Sequence, residues 1–176
     1  IVDSFSKLSF IRSVEKISIL KTHYRPNDEF WEAQYALPQV QAMHAYGFWD
    51  IDNGDMPGFN PNHEIVVAIN DLPLMWYHPD LIDNVWQNMG EDADGDGVVF
   101  EYLNNEWVLD PDDINNIDDD GDGYTDNLIG WNAHSDTNDL SVNTGLNHGT
   151  NVAGCVSSMT NNQSGIASLG WSIKLM

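Results

Sequence analysis

A chain of 176 residues, 41% of them apolar, is long enough to bury a core. Its 28 acidic residues against 6 basic ones leave a net charge of −22, which repels nucleic acid and anionic membranes and attracts cations and basic partners. No window reaches the roughly 18 apolar residues of a membrane span, no charged-then-apolar leader opens the chain, and a single cysteine, Cys155, excludes an internal disulfide.

The charge divides the chain near residue 25. Lys7, Arg12, Lys16, Lys21 and Arg25 face only Asp3 and Glu15, a net +3, whereas the remainder sets 26 acids against Lys174, a net −25. Within the basic piece, "SVEKISILKTHY" alternates like a strand and "RPND" punctuates it. Residues 1–25 and 26–176 therefore read as separable units. Leu37, Val40, Met43 and Tyr46 then recur at helical spacing, with Pro38 suited to a first turn and Gly47 to the end. The continuous apolar run Ile65 to Ile69 predicts a strand buried on both faces, ending at Asn70 and Asp71. Leu81, Val85, Trp86 and Met89 predict a short helix after it.

Residues 91–126 show no sustained helical or strand pattern and hold 14 of the 28 acids with no base. Such packing repels itself apart without cations. Within it, "IDDDGDGYTD" places Asp118, Asp120, Asp122, Gly123, the Tyr124 carbonyl and Asp126 at positions 1, 3, 5, 6, 7 and 9 of a calcium loop. Alternate side chains there converge on one ion, and the glycine makes the sharp turn. The twelfth position is Ile129 rather than a bidentate glutamate, so a missing ligand has to come from elsewhere. "EDADGDGVVFE" offers a second loop through Asp92, Asp94, Asp96 and the Val98 carbonyl, with Leu103 twelfth and Glu101 off register. The bland alternative is a solvated acidic loop.

Beyond the insertion, "LIGWNA" reads as a strand. His148, Val152, Cys155, Val156 and Met159 mark a helix, and "GWSIKLM" marks a last strand. Strands alternating with helices predict an α/β fold with a doubly wound, mostly parallel sheet, whose sites lie at the carboxyl ends of strands. Asp71 stands at such an end. Taken singly, Asp71 is a turn residue and His148 a capping or core histidine.

Taken together, "EIVVAINDLPLMWYHPDL" and "NHGTNVAG" resemble the aspartate and histidine segments of the subtilisin-like serine proteases, and the resemblance extends from about Asn27 to Met176. It implies serine-type peptide-bond hydrolysis in which Asp71 orients His148, and His148 takes the proton from an attacking serine hydroxyl. The family's order is Asp, His, Ser, with roughly 30 residues between the first two and roughly 150 before the serine. The wider gap here is filled by the acidic insertion, and the serine is expected beyond Met176. The sequence is thus expected to be a piece of a longer protein, inactive by itself. Ser141, Ser157, Ser158, Ser164, Ser168 and Ser172 lack the expected context for a nucleophile.

Two positions depart from the family's pattern: Asp-Thr-Gly is replaced by Asp71-Leu72-Pro73, where Pro73 fixes φ, and the second histidine of the helix is Asn151. The resemblance further implies a secreted, bacterial, calcium-stabilised enzyme acting on protein or peptide substrates, with residues 1–25 as the end of its own propeptide. A non-catalytic extracellular calcium-binding homologue, or a truncated inactive one, is the alternative.

Overall fold

The computed structural model describes residues 24–47, 65–141, 145 and 147–176. The basic stretch 1–23 and its predicted strand lie outside them. In chain order the elements are a 3-10 turn at Trp31–Ala33, α1 at Ala36–Gln39, α2 at Ala42–Tyr46, β1 at Val66–Val67, a 3-10 turn at Ile82–Asn84, β2 at Phe100–Leu103, β3 at Glu106–Leu109, α3 at His148–Ser157 and β4 at Lys174–Leu175. The class is α/β, as a small parallel sheet with helices.

The sheet is built around Leu175. β1 pairs with β4 in parallel, Val67 opposite Leu175, and Val85 bridges Leu175 in parallel from the other side. Backbone bonds extend the pairing, with Ile69 N donating to Met176 O at 2.8 Å and Trp86 N to Leu175 O at 2.8 Å. That pairing corrects the helix predicted over 81–89. Only Ile82–Asn84 turns, and Val85 is extended because its backbone is committed to the sheet. The apolar run at 65–69 is a strand edge rather than a doubly buried strand, since Ile65 and Val66 are 50% and 39% exposed.

The helix predicted over 37–47 is split. Gln41 adopts φ 59 between α1 and α2, which turns Val40 outward and sets Leu37, Ala42 and Tyr46 together on Trp31, Ala167 and Trp171. The Tyr46 hydroxyl donates to the Ser168 carbonyl at 2.5 Å, and its ring meets Trp171 edge-on at 5.1 Å. Burial holds that phenol protonated well above its ordinary range. The strand predicted at "LIGWNA" is likewise absent. Leu128 and Ile129 are buried in irregular backbone, and Asn132 bridges Thr137 across a turn.

The acidic insertion contains an antiparallel hairpin that its composition conceals. Phe100 to Leu103 pair with Leu109 to Glu106 across Asn104-Asn105, both at positive φ (50° and 69°). Two asparagines tolerate this twist-matched hairpin turn at low cost. Val99 and Phe100 enter one cluster with Trp76, Ile82, Val85, Leu128 and Ile129, so apolar burial anchors the insertion to the body.

α3 packs by its small residues. Gly149, Ala153, Gly154 and Ser157 are its buried positions, Val152 and Val156 are half-buried, and Cys155 is exposed. Small side chains let the helix approach Leu81 and Leu175 closely. A polar staple closes its end: the buried Asn84 amide donates to the carbonyls of Ser157 at 3.0 Å and Trp171 at 3.1 Å, and Ser157 Oγ donates to Ile173 O at 2.5 Å. Asn84→Ala leaves these carbonyls without that donor, and is expected to cost about 2–3 kcal/mol in urea unfolding. An unchanged midpoint would show that they find other donors. Ser157, Ser158 and Ser168 are fully buried and spend their hydroxyls on backbone carbonyls.

After α3 the chain is held by two buried aspartates. Asp28 accepts from Asn161 N at 2.9 Å, and Asp80 accepts from Asn162 Nδ2 and Ile166 N, each at 3.0 Å. Burial, helped by the neighbouring Asp80 charge, raises the pKa of Asp28 despite its backbone donors.

Candidate functional site

Two sites emerge, one at the carboxyl end of β1 and one in the insertion. At the first, the chain leaves the sheet at Asn70 and Asp71 and crosses the first turn of α3. Three contacts fix the crossing. Thr150 Oγ1 accepts from Met75 N at 2.9 Å. Gly149 lies so near the Leu72 carbonyl that a methyl group there would overlap its oxygen and sit 2.9 Å from its carbon. His148 Nδ1 lies 2.7 Å from Asp71 Oδ1 and 2.8 Å from Oδ2, across 77 residues of sequence.

At the Leu72-Pro73 departure, the Leu72 N–H donates to Asp71 Oδ1 at 2.6 Å and steadies the carboxylate. The His148 hydrogen bond, and then that N–H, hold the Asp71 carboxyl below its ordinary value, so it is ionised throughout neutral pH. The histidine side chain is 69% exposed and the aspartate side chain 19%. With the Nδ1–H donating a hydrogen bond to the carboxylate, the imidazole lone pair stands on Nε2 of a side chain open to solvent. This is the arrangement of an oriented general base.

In the insertion the two aspartate loops have one geometry. Asp118 accepts from Gly121 N and Gly123 N, Asp120 from Asp122 N, and Asp122 from Tyr124 N. Asp92 accepts from Gly95 N and Gly97 N, Asp94 from Asp96 N, and Asp96 from Val98 N. Gly95, Gly97, Gly121 and Gly123 all have positive φ, from 74° to 99°, a conformation glycine adopts without strain.

Carboxylate oxygens converge within 4.8 Å in two groups, Asp92 with Asp94 and Asp96, and Asp118 with Asp120 and Glu91. Outside the second group, Asp122 also accepts from Asn127 Nδ2, and the buried Asp126 accepts from the backbone of Asn115 and Asn116. Oxygen-only donors on glycine-turned loops suit a hard divalent cation such as calcium.

Glu91 and Asp113 escape the sequence reading. Both are fully buried. Glu91 Oε1 accepts from Asp119 N and Asp120 N, and Oε2 from Asp126 N. Asp113 Oδ1 accepts from Ala93 N at 2.8 Å, with Asp94 N at 3.5 Å. Burial raises both carboxyls, with backbone donors opposing and neighbouring acids adding to it. Neither stands at a loop-register position, so spacing carried no signal for them.

Comparison with known proteins follows the same segments. The family model described as "Subtilase family" (Peptidase S8) matches residues 62–176. The "Halolysin-like extracellular serine protease Nep" of Natrialba magadii is 28% identical over 144 residues, 82% of this chain and 18% of that protein. "Subtilisin-like protease 1" of Plasmodium berghei (strain Anka) is 26% identical over 173 residues, 98% of this chain and 24% of that protein. The chain thus spans at most about a quarter of the length of these relatives.

Proposed function

We propose, on the premise that the chain belongs to the subtilase family, that it carries two members of the triad of a serine endopeptidase. Asp71 orients the imidazole and stabilises its cation. His148 is the general base toward a serine supplied beyond Met176, and returns the proton to the leaving amine. The observation that carries this reading is the Asp71–His148 contact of 2.7 Å, made at a strand's carboxyl end by segments that the acidic insertion separates.

The substrates are proteins or peptides, and the setting is extracellular, consistent with the extracellular protease among the relatives. No helix among the described residues is long and apolar enough to cross a membrane. Calcium is a structural cofactor: the two loops, through Asp92, Asp94 and Asp96 and through Asp118, Asp120, Asp122, the Tyr124 carbonyl and Asp126, hold it and gain charge neutralisation. Residues 1–25 are the end of the propeptide, their +3 charge complementing the −25 body.

The experiment is fluorophosphonate labelling of the complete protein, followed by N-terminal sequencing of the labelled band. Labelling of the wild type, its loss in His148→Ala, and an N-terminus near residue 26 are expected. A folded, calcium-binding protein that never labels would instead be the non-catalytic homologue.

A further inference from the structure

We propose that the two aspartate loops form one coupled two-calcium unit, in which Asp113 completes the first site from outside its loop as Glu91 completes the second. This rests on reading the loops as calcium sites. The correspondence is atomic. Counted from the first aspartate of each loop, the N–H groups at positions 2 and 3 point at a carboxylate from elsewhere: Asp119 and Asp120 at Glu91 Oε1, Ala93 and Asp94 at Asp113 Oδ1. Glu91 belongs to the converging oxygens of the second loop; Asp113, outside the converging group of the first loop but bonded by the same two N–H positions, takes the corresponding part there in this proposal.

An independent observation marks a ligand there. Asp113 is 0% exposed, and its Oδ2 is the one buried side-chain oxygen or nitrogen without a hydrogen-bond partner among the described residues. A buried carboxylate oxygen left unpartnered is costly, and the neighbours Asp92 and Asp110 worsen it by repulsion. A proton would still need an acceptor. A divalent cation held by Asp92, Asp94 and Asp96 would satisfy the oxygen directly, and Asp113 would then supply the outer ligand that Leu103 cannot.

The coupling follows from connectivity. Glu91 serves the second loop and Asp92, the next residue, opens the first, so an ion that fixes either one fixes the peptide between them. Packing tightens the link: Asn88 Nδ2 donates to Asp120 Oδ2 at 2.9 Å, and a methyl group on Gly90 would lie 2.6 Å from Asp120 Cβ. The second ion to bind therefore meets a loop already ordered, which is positive cooperativity.

The test is calorimetric titration of calcium into the metal-stripped complete protein, with Asp113→Asn, Glu91→Gln and the exposed Glu106→Gln as variants. At least two ions per chain are expected. Asp113→Asn should lower first-site affinity roughly 10–100-fold, and second-site affinity about fivefold or more, with Glu91→Gln doing the reverse and Glu106→Gln neither. Because Asp113→Asn removes a buried unpaired charge, its metal-free melting temperature should hold or rise while its calcium affinity falls, a combination that misfolding does not produce. One ion per chain, two independent ions, or unaltered affinities in Asp113→Asn would overturn the proposal while leaving the loops as calcium sites. No calcium uptake by the wild type would overturn the underlying reading as well.

Discussion

On the proposed protease reading, Asp71→Asn in the complete protein is expected to lower kcat by roughly 10⁴-fold with KM little changed, the scale set by loss of a triad carboxylate. Both carboxylate oxygens lie within 2.8 Å of His148 Nδ1. The Leu72 N–H donates to Oδ1 and holds that position for an oxygen, so the asparagine amide takes the place of Oδ2 and directs an N–H at the ring nitrogen. The imidazole answers by placing its lone pair on Nδ1 and its proton on Nε2, where the base is needed. The change is nearly isosteric and the site is open to solvent, so stability should scarcely move. Steady-state kinetics on a peptide substrate gives the readout. A loss smaller than roughly 10²-fold, the floor for a general base, would show that Asp71 does not orient the reacting histidine.

Gly149→Ala acts on the same pair through the backbone. The added methyl would overlap the Leu72 carbonyl oxygen and approach Pro73 O at 3.3 Å. Both obstacles are main chain, and neither can rotate away as a flexible side chain would. α3 must lift from the 71–75 segment, which separates His148 from Asp71. Overpacking of this kind is expected to cost about 1–3 kcal/mol, and a displacement of ~1 Å at reacting groups to cost on the order of 10²-fold in kcat/KM. Gly154→Ala on the same helix is the matched control. Its methyl meets only Ile166 Cδ1 at 3.4 Å, and alanine gains up to about 1 kcal/mol of helix propensity. Thermal unfolding and kcat/KM of the two variants decide the matter. Equal behaviour would show that the 149 contact does not set the site.

The family was legible because its signals are local. "HGTNVAG" is a helix of small residues, and His148–Ser157 is helical. The aspartate loops were legible for the same reason: alternate oxygens and a glycine lie within a few residues, and each loop closes on its own N–H groups. Elsewhere local periodicity misled. Leu81, Val85, Trp86 and Met89 have helical spacing, yet Val85 is extended because Leu175, 90 residues on, claims its backbone. The hairpin at 100–109 was hidden by its acids, though the Asn104-Asn105 pair between aromatic runs was the available signal.

The sequence by itself determined which short segments can turn, coil or gather charge, and through resemblance which aspartate and histidine belong together. Beyond that pair it could not determine which distant groups meet, nor the geometry in which any of them do. The 2.7 Å Asp71–His148 contact depends on parallel pairing at Leu175 and on the bare backbone of Gly149. Glu91 and Asp113 meet their loops across 28 and 20 residues, on either side of a hairpin whose Phe100 is buried with Trp76 and Leu128. Contacts within a few residues are written in spacing, whereas contacts across 77 residues require apolar burial first to bring the segments together.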